Sequence, residues 1–234
     1  MLNLATHNFT DCHALAVALA ERLAQQLREG IAARGRALLA VSGGSTPQHV
    51  FAELSRARLD WSRVQVTLVD ERWVPESHPR SNAQLVKSRL LCNEAAAATF
   101  VPLHVDTPAP EQGLALLRPL IDALALPFDA VVLGMGEDGH TASFFPGGDR
   151  LAEVLDLDGA ERVLPMRAPG AGEPRITFSL PTLLQTRLLV LHIEGEAKKR
   201  VLGEAQLGVG EAAHYPIRAV LTQPRVPLSI YWCP

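Results

Sequence analysis

The apolar positions of this chain change period as it is read from one end to the other. Residues 11 to 34 keep helical spacing, "ALLAVS" (37 to 42) is a nearly continuous apolar run that predicts a buried strand, and "PQHVFAELSRA" (47 to 57) returns to helical spacing. The last two predict a βα unit. The alternation continues with strand "VQVTLVD" (64 to 70), helices "SNAQLVKSRLL" (81 to 91) and "EQGLALLRPLIDAL" (111 to 124), and strand "FDAVVLG" (128 to 134). Strand-like "RITFS" (175 to 179) and "RLLVLHI" (187 to 193), helix "EAKKRVLGEAQ" (196 to 206) and a terminal "PLSIYW" (227 to 232) complete it. The runs at 37 to 41 and 130 to 133 carry no polar face, as expected of parallel strands covered on both sides. The pattern predicts an α/β fold with an open, mainly parallel sheet and helices on both faces. No repeat, long linker or low-complexity tract interrupts it, and the Pro/Gly-rich "APGAGEPR" (168 to 175) reads as a surface loop.

Composition narrows the class. With 234 residues, 47% hydrophobic and 20% charged, the chain can bury a substantial core, and one domain spanning 1–234 is expected. A formal net charge of -3 leaves no electrostatic footprint for nucleic acid, so the expected partner is a small molecule. Cys12, Cys92 and Cys233 are odd in number and widely spaced, which suggests neither a disulfide framework nor a zinc site and fits a reducing compartment. The N-terminal stretch has no basic region before its apolar residues, and Asp11, Glu21 and Arg22 break the apolar character of the segment. Neither a signal peptide nor a membrane span is expected there, and a cytoplasmic location is.

In open parallel sheets ligands gather beyond the carboxyl ends of the strands, so the residues after each apolar run are where chemistry is sought. In "SGGSTP", Ser42 to Pro47, two glycines end a strand and Thr46-Pro47 opens a helix with proline at its first position. Freed backbone N–H groups there suit a phosphate, although a capped βα turn would read the same way. No Gly-Lys-Ser/Thr comes after it, which excludes a nucleotide-triphosphate loop. In "DERWVP", Asp70 to Pro75, two acids and an arginine stand at a strand end. The arginine can grip an oxyanion with its neighbours orienting it, or the three can form a solvated ion-pair cluster.

The third place, "GMGEDGHTASFFPGG", has the Gly134-x-Gly136-x-x-Gly139 spacing of a dinucleotide fingerprint. That fingerprint needs a long helix starting at the third glycine, and Pro146-Gly147-Gly148 cuts the chain within nine residues. The stretch offers instead Glu137, Asp138 and His140 on a glycine-flexible loop. A histidine beside a carboxylate can act as a general base near neutral pH.

Together "SGGSTP", "DERWVP" and "GMGEDGHTASFFPG", then "RITFSLP" (175 to 181) and "EGEAKKRVL" (194 to 202), resemble in order and spacing the 6-phosphogluconolactonase family, within the wider group that includes glucosamine-6-phosphate deaminases. The resemblance spans nearly the whole chain and implies a Rossmann-like fold of the deaminase/lactonase type. It implies hydrolysis of 6-phosphoglucono-δ-lactone to 6-phosphogluconate without a cofactor or metal. Carried over by residue, Gly43, Gly44, Ser45 and Thr46 would hold the substrate phosphate, with Lys198 and Arg175 supplying positive charge. Arg72 would line the cleft, held by Asp70; His140 matches the family's general base and Asp138 the carboxylate that assists it. Implied partners are a phosphosugar lactone, with no nucleic acid and no membrane, in a monomer or a dimer. The residues agree with such chemistry: a lactone is an activated ester that needs a positioned water, a base and oxyanion donors. A Gly-x-Ser-x-Gly nucleophile elbow does not occur in the chain.

Two other readings compete. The deaminase-isomerase branch shares the phosphate loop and the Asp-Gly-His element, but typically reads Asp-Glu-Tyr where this chain has Asp70-Glu71-Arg72, and it carries a catalytic glutamate after the histidine that "TASFFPGG" lacks. A non-catalytic phosphosugar sensor would be expected to carry a DNA-binding segment, and neither a helix-turn-helix remainder nor a basic face is evident. Both comparisons favour the lactonase.

Overall fold

The computed structural model describes residues 4 to 234. Its strands are β1 (Leu4–Asn8), β2 (Ala37–Val41), β3 (Val64–Leu68), β4 (Asp70–Arg72), β5 (Thr99–Val101), β6 (Ala130–Leu133), β7 (Val163–Met166), β8 (Arg175–Phe178), β9 (Leu189–Glu194) and β10 (Leu228–Cys233). Its helices are α1 (Cys12–Arg34), α2 (Gln48–Leu54), α3 (Asn82–Arg89), α4 (Pro110–Asp122), α5 (Leu151–Leu155), α6 (Leu180–Leu183), α7 (Glu196–Leu207) and α8 (Ile217–Thr222). Seven strands form a parallel sheet in the order β1-β10-β9-β6-β2-β3-β5, and β4-β8-β7 form a small antiparallel sheet beside it.

Local chemistry explains the longest helix. The Asp11 side chain accepts from the Ala14 N–H at 2.8 Å and caps the start of α1, while Gly35, at φ 74°, ends it with its N–H on the Ile31 carbonyl. Leu15, Leu19, Leu23 and Leu27 recur every four residues and are fully buried, so one stripe of α1 is committed to the core. Each such leucine contributes about 1.5–3 kcal/mol on leaving water. Every residue of β2 and of β6 is buried, which is why neither strand shows an alternating pattern.

The strand order creates the crevice. From β2 the chain winds outward through β3 to β5, whereas from β6 it winds the other way through β9 to β10, with the N-terminal strand β1 paired at that edge. Because β2 and β6 are adjacent and their connections depart in opposite directions, the loops at their carboxyl ends separate and leave an opening between them. The "SGGSTP" and "GMGEDGH" loops are those two loops.

Several expectations need correction. The segment read as one strand over 64 to 70 is divided: β3 ends at Leu68, and Asp70–Arg72 pairs antiparallel with β8 in the small sheet. The 175 to 179 strand therefore lies outside the parallel sheet. Strand β1 escapes sequence reading because its residues are largely exposed and polar at the sheet edge, and the three- and four-residue β5 and β7 are too short to show a period. The loop at 168 to 175 is not wholly at the surface, since Ala171 and Arg175 are buried. Cys12 and Cys233 form a disulfide across 221 residues, their Cα atoms 5.4 Å apart, contrary to the expectation of unpaired cysteines; Cys92 is free. Sequence spacing could not show this, because it is the pairing of β10 with β1 that carries Cys233 to the start of α1.

Candidate active site

A cavity of about 280 Å³ opens at the β2/β6 crevice, lined by Ser42 to Pro47 on one side and by Gly134 to Gly136 and His140 on the other. The two loops are tied at their base, where the Gly134 N–H donates to Ser42 Oγ at 3.0 Å. Gly43 is required by close approach: a Cβ there would overlap the side-chain amide of Asn82. The capped-turn reading of "SGGSTP" does not hold, since no side chain caps α2. Thr46 Oγ1 instead accepts from Lys198 Nζ at 2.9 Å, bringing an ammonium from the first turn of α7 to the glycine loop. Burial pulls the Lys198 pKa below its ordinary value, opposed by the charges of Glu194 and Glu137.

The second loop curls back on itself. The Gly136 N–H donates to the His140 carbonyl at 2.9 Å, and the chain after Gly139 forms a short Thr141–Phe144 bridge, with no helix in the position a dinucleotide fold requires. A Cβ on Gly136 would overlap the His140 ring and Asp138, so glycine lets the imidazole fold over its own loop. His140 Nδ1 lies 2.5 Å from Asp138 Oδ1, which also accepts from the His140 backbone N–H at 3.1 Å. An ionised carboxylate only accepts, so Nδ1 carries the hydrogen, and in the neutral imidazole Nε2 is then the nitrogen with the lone pair. The ring stacks on Phe145 with centroids 4.4 Å apart. Burial works to raise the Asp138 pKa, but the hydrogen bonds and charge of His140 outweigh it and the net shift is downward.

The third wall comes from the small sheet, and here the expected partners change. Asp70 does not hold Arg72. It accepts from Ser143 Oγ at 2.6 Å and lies 3.7 Å from Arg175 Nη1, all three side chains being buried. Side chains alternate along a strand, so Asp70 and Arg72, two apart, share a face, but Arg72 turns toward α3. Its Nη1 donates to Asn82 Oδ1 at 2.7 Å and to the Arg80 carbonyl at 2.9 Å. Arg175 also donates to the Ala171 carbonyl at 2.8 Å and sits 5.2 Å from the Phe145 ring centre; burial lowers its pKa, with Asp70 opposing.

The model of the family described as glucosamine-6-phosphate isomerases/6-phosphogluconolactonase matches residues 10–232. The chain belongs to that family. It is 53% identical to the 6-phosphogluconolactonase of Rhizobium meliloti (strain 1021), over 97% of this chain and 98% of the relative. It is 44% identical to that of Pseudomonas aeruginosa, over 92% and 89% of the two chains. A solved 6-phosphogluconolactonase structure from Shewanella baltica OS155 superposes with a TM-score of 0.93 at 37% identity, covering both chains completely. These relatives put the chain on the 6-phosphogluconolactonase branch of the family.

Of the residues expected from this family resemblance, Gly43, Gly44, Ser45, Thr46, Asp70, Arg72, His140, Arg175 and Lys198 all line the one cavity, and Asp138 stands behind His140. Sequence reasoning does not give the contacts of four others. Asn82 reads only as part of a helix, and Ser143, although it stands near His140 in the sequence, gives no sign of its role as the Asp70 donor. Glu71 is fully buried and accepts from the N–H groups of Arg72, Asn82 and Ala83 at 2.7–2.9 Å; burial raises its pKa against those donors. His192 reaches the same cavity from the end of β9, with Nε2 3.1 Å from Glu194 Oε1. Its apolar strand context hides it. Among the described residues, the only cluster of three possible metal-ligand side chains is Cys12, Glu194 and Cys233, whose sulfurs are joined to each other.

Proposed function

We propose that this chain hydrolyses 6-phospho-D-glucono-1,5-lactone to 6-phospho-D-gluconate with His140 as general base. The observation that carries the reading is the opening of two chemically distinct groups onto one cavity: a glycine loop joined to Lys198, and an imidazole backed by a carboxylate. The N–H groups of Gly43 to Thr46 and the Lys198 ammonium hold the substrate phosphate, with Arg175 adding positive charge. The phosphate fixes one end of the ligand and leaves the lactone carbonyl to be presented to His140.

His140 Nε2 takes a proton from a water molecule as that water's oxygen bonds to C1. Asp138 keeps the hydrogen on Nδ1 and stabilises the imidazolium that forms. The tetrahedral intermediate collapses with cleavage of the C1–ring oxygen bond. The departing ring oxygen takes up the proton carried by the imidazolium, which restores neutral His140 and leaves an open-chain acid. Arg72 lines the cleft beside this path. No enzyme nucleophile is needed, because the ester is already activated.

The reading takes residues 1–234 as one domain, supported by a single continuous hydrophobic core, and places its work in the cytoplasm. No helix among the described residues is long and apolar enough to cross a membrane. The test uses fresh 6-phosphogluconolactone and glucosamine 6-phosphate side by side, monitoring acid release and ammonia release. Acid release above the spontaneous rate with no ammonia is expected; ammonia release would overturn the lactonase assignment, and neither product would favour a binding protein.

A further inference from the structure

We propose that Asn82 is a positioning residue of this active site, aiming the Arg72 guanidinium at the substrate beside the glycine loop. The proposal rests on the lactonase reading for the identity of the ligand, but its geometry stands on four contacts.

Asn82 is the first residue of α3 and is buried. Its Nδ2 donates to the Asp70 carbonyl at 3.0 Å, and its Oδ1 accepts from Arg72 Nη1 at 2.7 Å. Its own N–H is held by Glu71 at 2.9 Å. The same side chain fills the space where a Cβ on Gly43 would stand. One amide therefore touches the strand carrying Asp70, the arginine and the glycine loop. An amide has one acceptor end and one donor end, and here each end is matched to a group that only it can satisfy.

The consequence for Arg72 is specific. Both hydrogens of Nη1 are used, one by Asn82 and one by the Arg80 carbonyl. Nη2 makes no hydrogen bond among the described residues, and Nε is buried without a partner. Nη2 therefore keeps its hydrogens free to donate to an oxyanion. With Nη1 pinned by Asn82, Nη2 is the part of Arg72 left for a ligand, and the cavity lined by Arg72 and Gly43 is the space that would receive it. Glu71 reinforces the arrangement by holding the Arg72 and Asn82 backbone N–H groups on one carboxylate.

The test is a double-mutant cycle on the full chain: wild type, Asn82→Ala, Arg72→Ala and the pair, each measured for 6-phosphogluconate binding by calorimetry and for kcat/KM on the lactone. Asn82→Ala is expected to weaken product binding about tenfold or more when Arg72 is present, the scale of a charged hydrogen bond, and less than about threefold when Arg72 is already alanine. A penalty that multiplies fully with that of Arg72→Ala would show that Asn82 does not act through Arg72 and would overturn the proposal. Asn82→Asp covers the case in which alanine unfolds the protein, since a carboxylate is favoured at the first position of a helix. There the expected outcome is a raised KM and weaker product binding with an unchanged circular dichroism spectrum, because Arg72 is neutralised in place; unchanged KM would overturn the proposal. Wild-type protein that binds 6-phosphogluconate but releases no acid from the lactone would count against the lactonase reading alone.

Discussion

The loops after β2 and β6 occupy equivalent places at adjacent strand ends, both are rich in glycine, and the proposed mechanism gives them opposite chemistry. After β2 the chain runs straight on into α2, and Gly43 to Thr46 line the cavity with N–H groups that make no main-chain hydrogen bond among the described residues. After β6 the chain turns back through the Gly136–His140 hydrogen bond and reaches Pro146 without forming a helix. It exposes an imidazole instead. The difference lies in the direction of the chain beyond the glycines: onward travel presents main-chain donors, which suit an anion, and reversal presents a side chain, which suits proton transfer. The apparent dinucleotide spacing at Gly134, Gly136 and Gly139 belongs to the reversing loop, and the proposed anion-binding role belongs to the loop that lacks that spacing.

The comparison predicts that damage to the two loops separates in kinetics. The largest effect is expected from His140→Asn, which removes the base while keeping a polar side chain of similar size. Once the spontaneous hydrolysis rate is subtracted, kcat should fall by roughly 10²- to 10⁴-fold with KM little altered. Near wild-type kcat would mean that another group, Asp138 or Glu137 first, is the base.

Lys198→Ala should act on the other kinetic constant. A contact to a remote phosphate is shared by ground and transition states, so KM should rise about 10- to 100-fold with kcat nearly kept. The same lysine gives this end a pH signature. Its pKa is lowered by burial, so the ammonium is lost on the alkaline side at a pH below the ordinary lysine range. Wild-type KM should be flat at lower pH and rise as pH climbs through that value; Lys198→Ala should have a raised KM without the rise. An alkaline limb that persists in the variant would assign it elsewhere.

Arg72→Tyr brings a smaller, sharper test, because it restores the tyrosine of the deaminase pattern on the wall between the two loops. Lactonase activity should drop about tenfold through loss of a charged donor, and ammonia release from glucosamine 6-phosphate should stay at background, since "TASFFPGG" supplies no glutamate after His140. Gain of ammonia release would show that the branch is set by residue 72 alone. The mildest expected effect is inhibition by inorganic phosphate or sulfate, competitive with substrate and weakened in Lys198→Ala but not in His140→Asn. Equal weakening in both variants would erase the division between the loops.

How far each part is legible depends on the range over which it is decided. Both glycine loops can be found because a strand end, a glycine and a proline are signals carried within a few residues. The His140–Asp138 pair is legible for the same reason, its members being two positions apart on one turn. Arg72 is recognisable as a site residue, but its support is not the Asp70 that the sequence suggests. Its true partners, Asn82 and the Arg80 carbonyl, lie eight to ten residues on, across a loop whose path is fixed by the buried carboxylate of Glu71. Asn82 itself carries no signal, since an asparagine after a serine at a helix start reads as ordinary capping chemistry, and Ser81 does cap α3.

The chain's own order of apolar runs and helical stretches was enough to determine an α/β fold with parallel strands buried on both faces, and its local motifs were enough to locate the loops where chemistry occurs. Only the tertiary structure decided which groups meet. Lys198 reaches Thr46 across 152 residues, Ser143 reaches Asp70 across 73, and Cys12 meets Cys233 across 221. The physical reason is that turns, caps and strand periods are settled by steric and hydrogen-bonding preferences of neighbouring residues. Long-range pairs depend instead on strand order, and here it is the opposite winding from β2 and β6 that opens the crevice and sets Lys198, Arg72 and His140 around it.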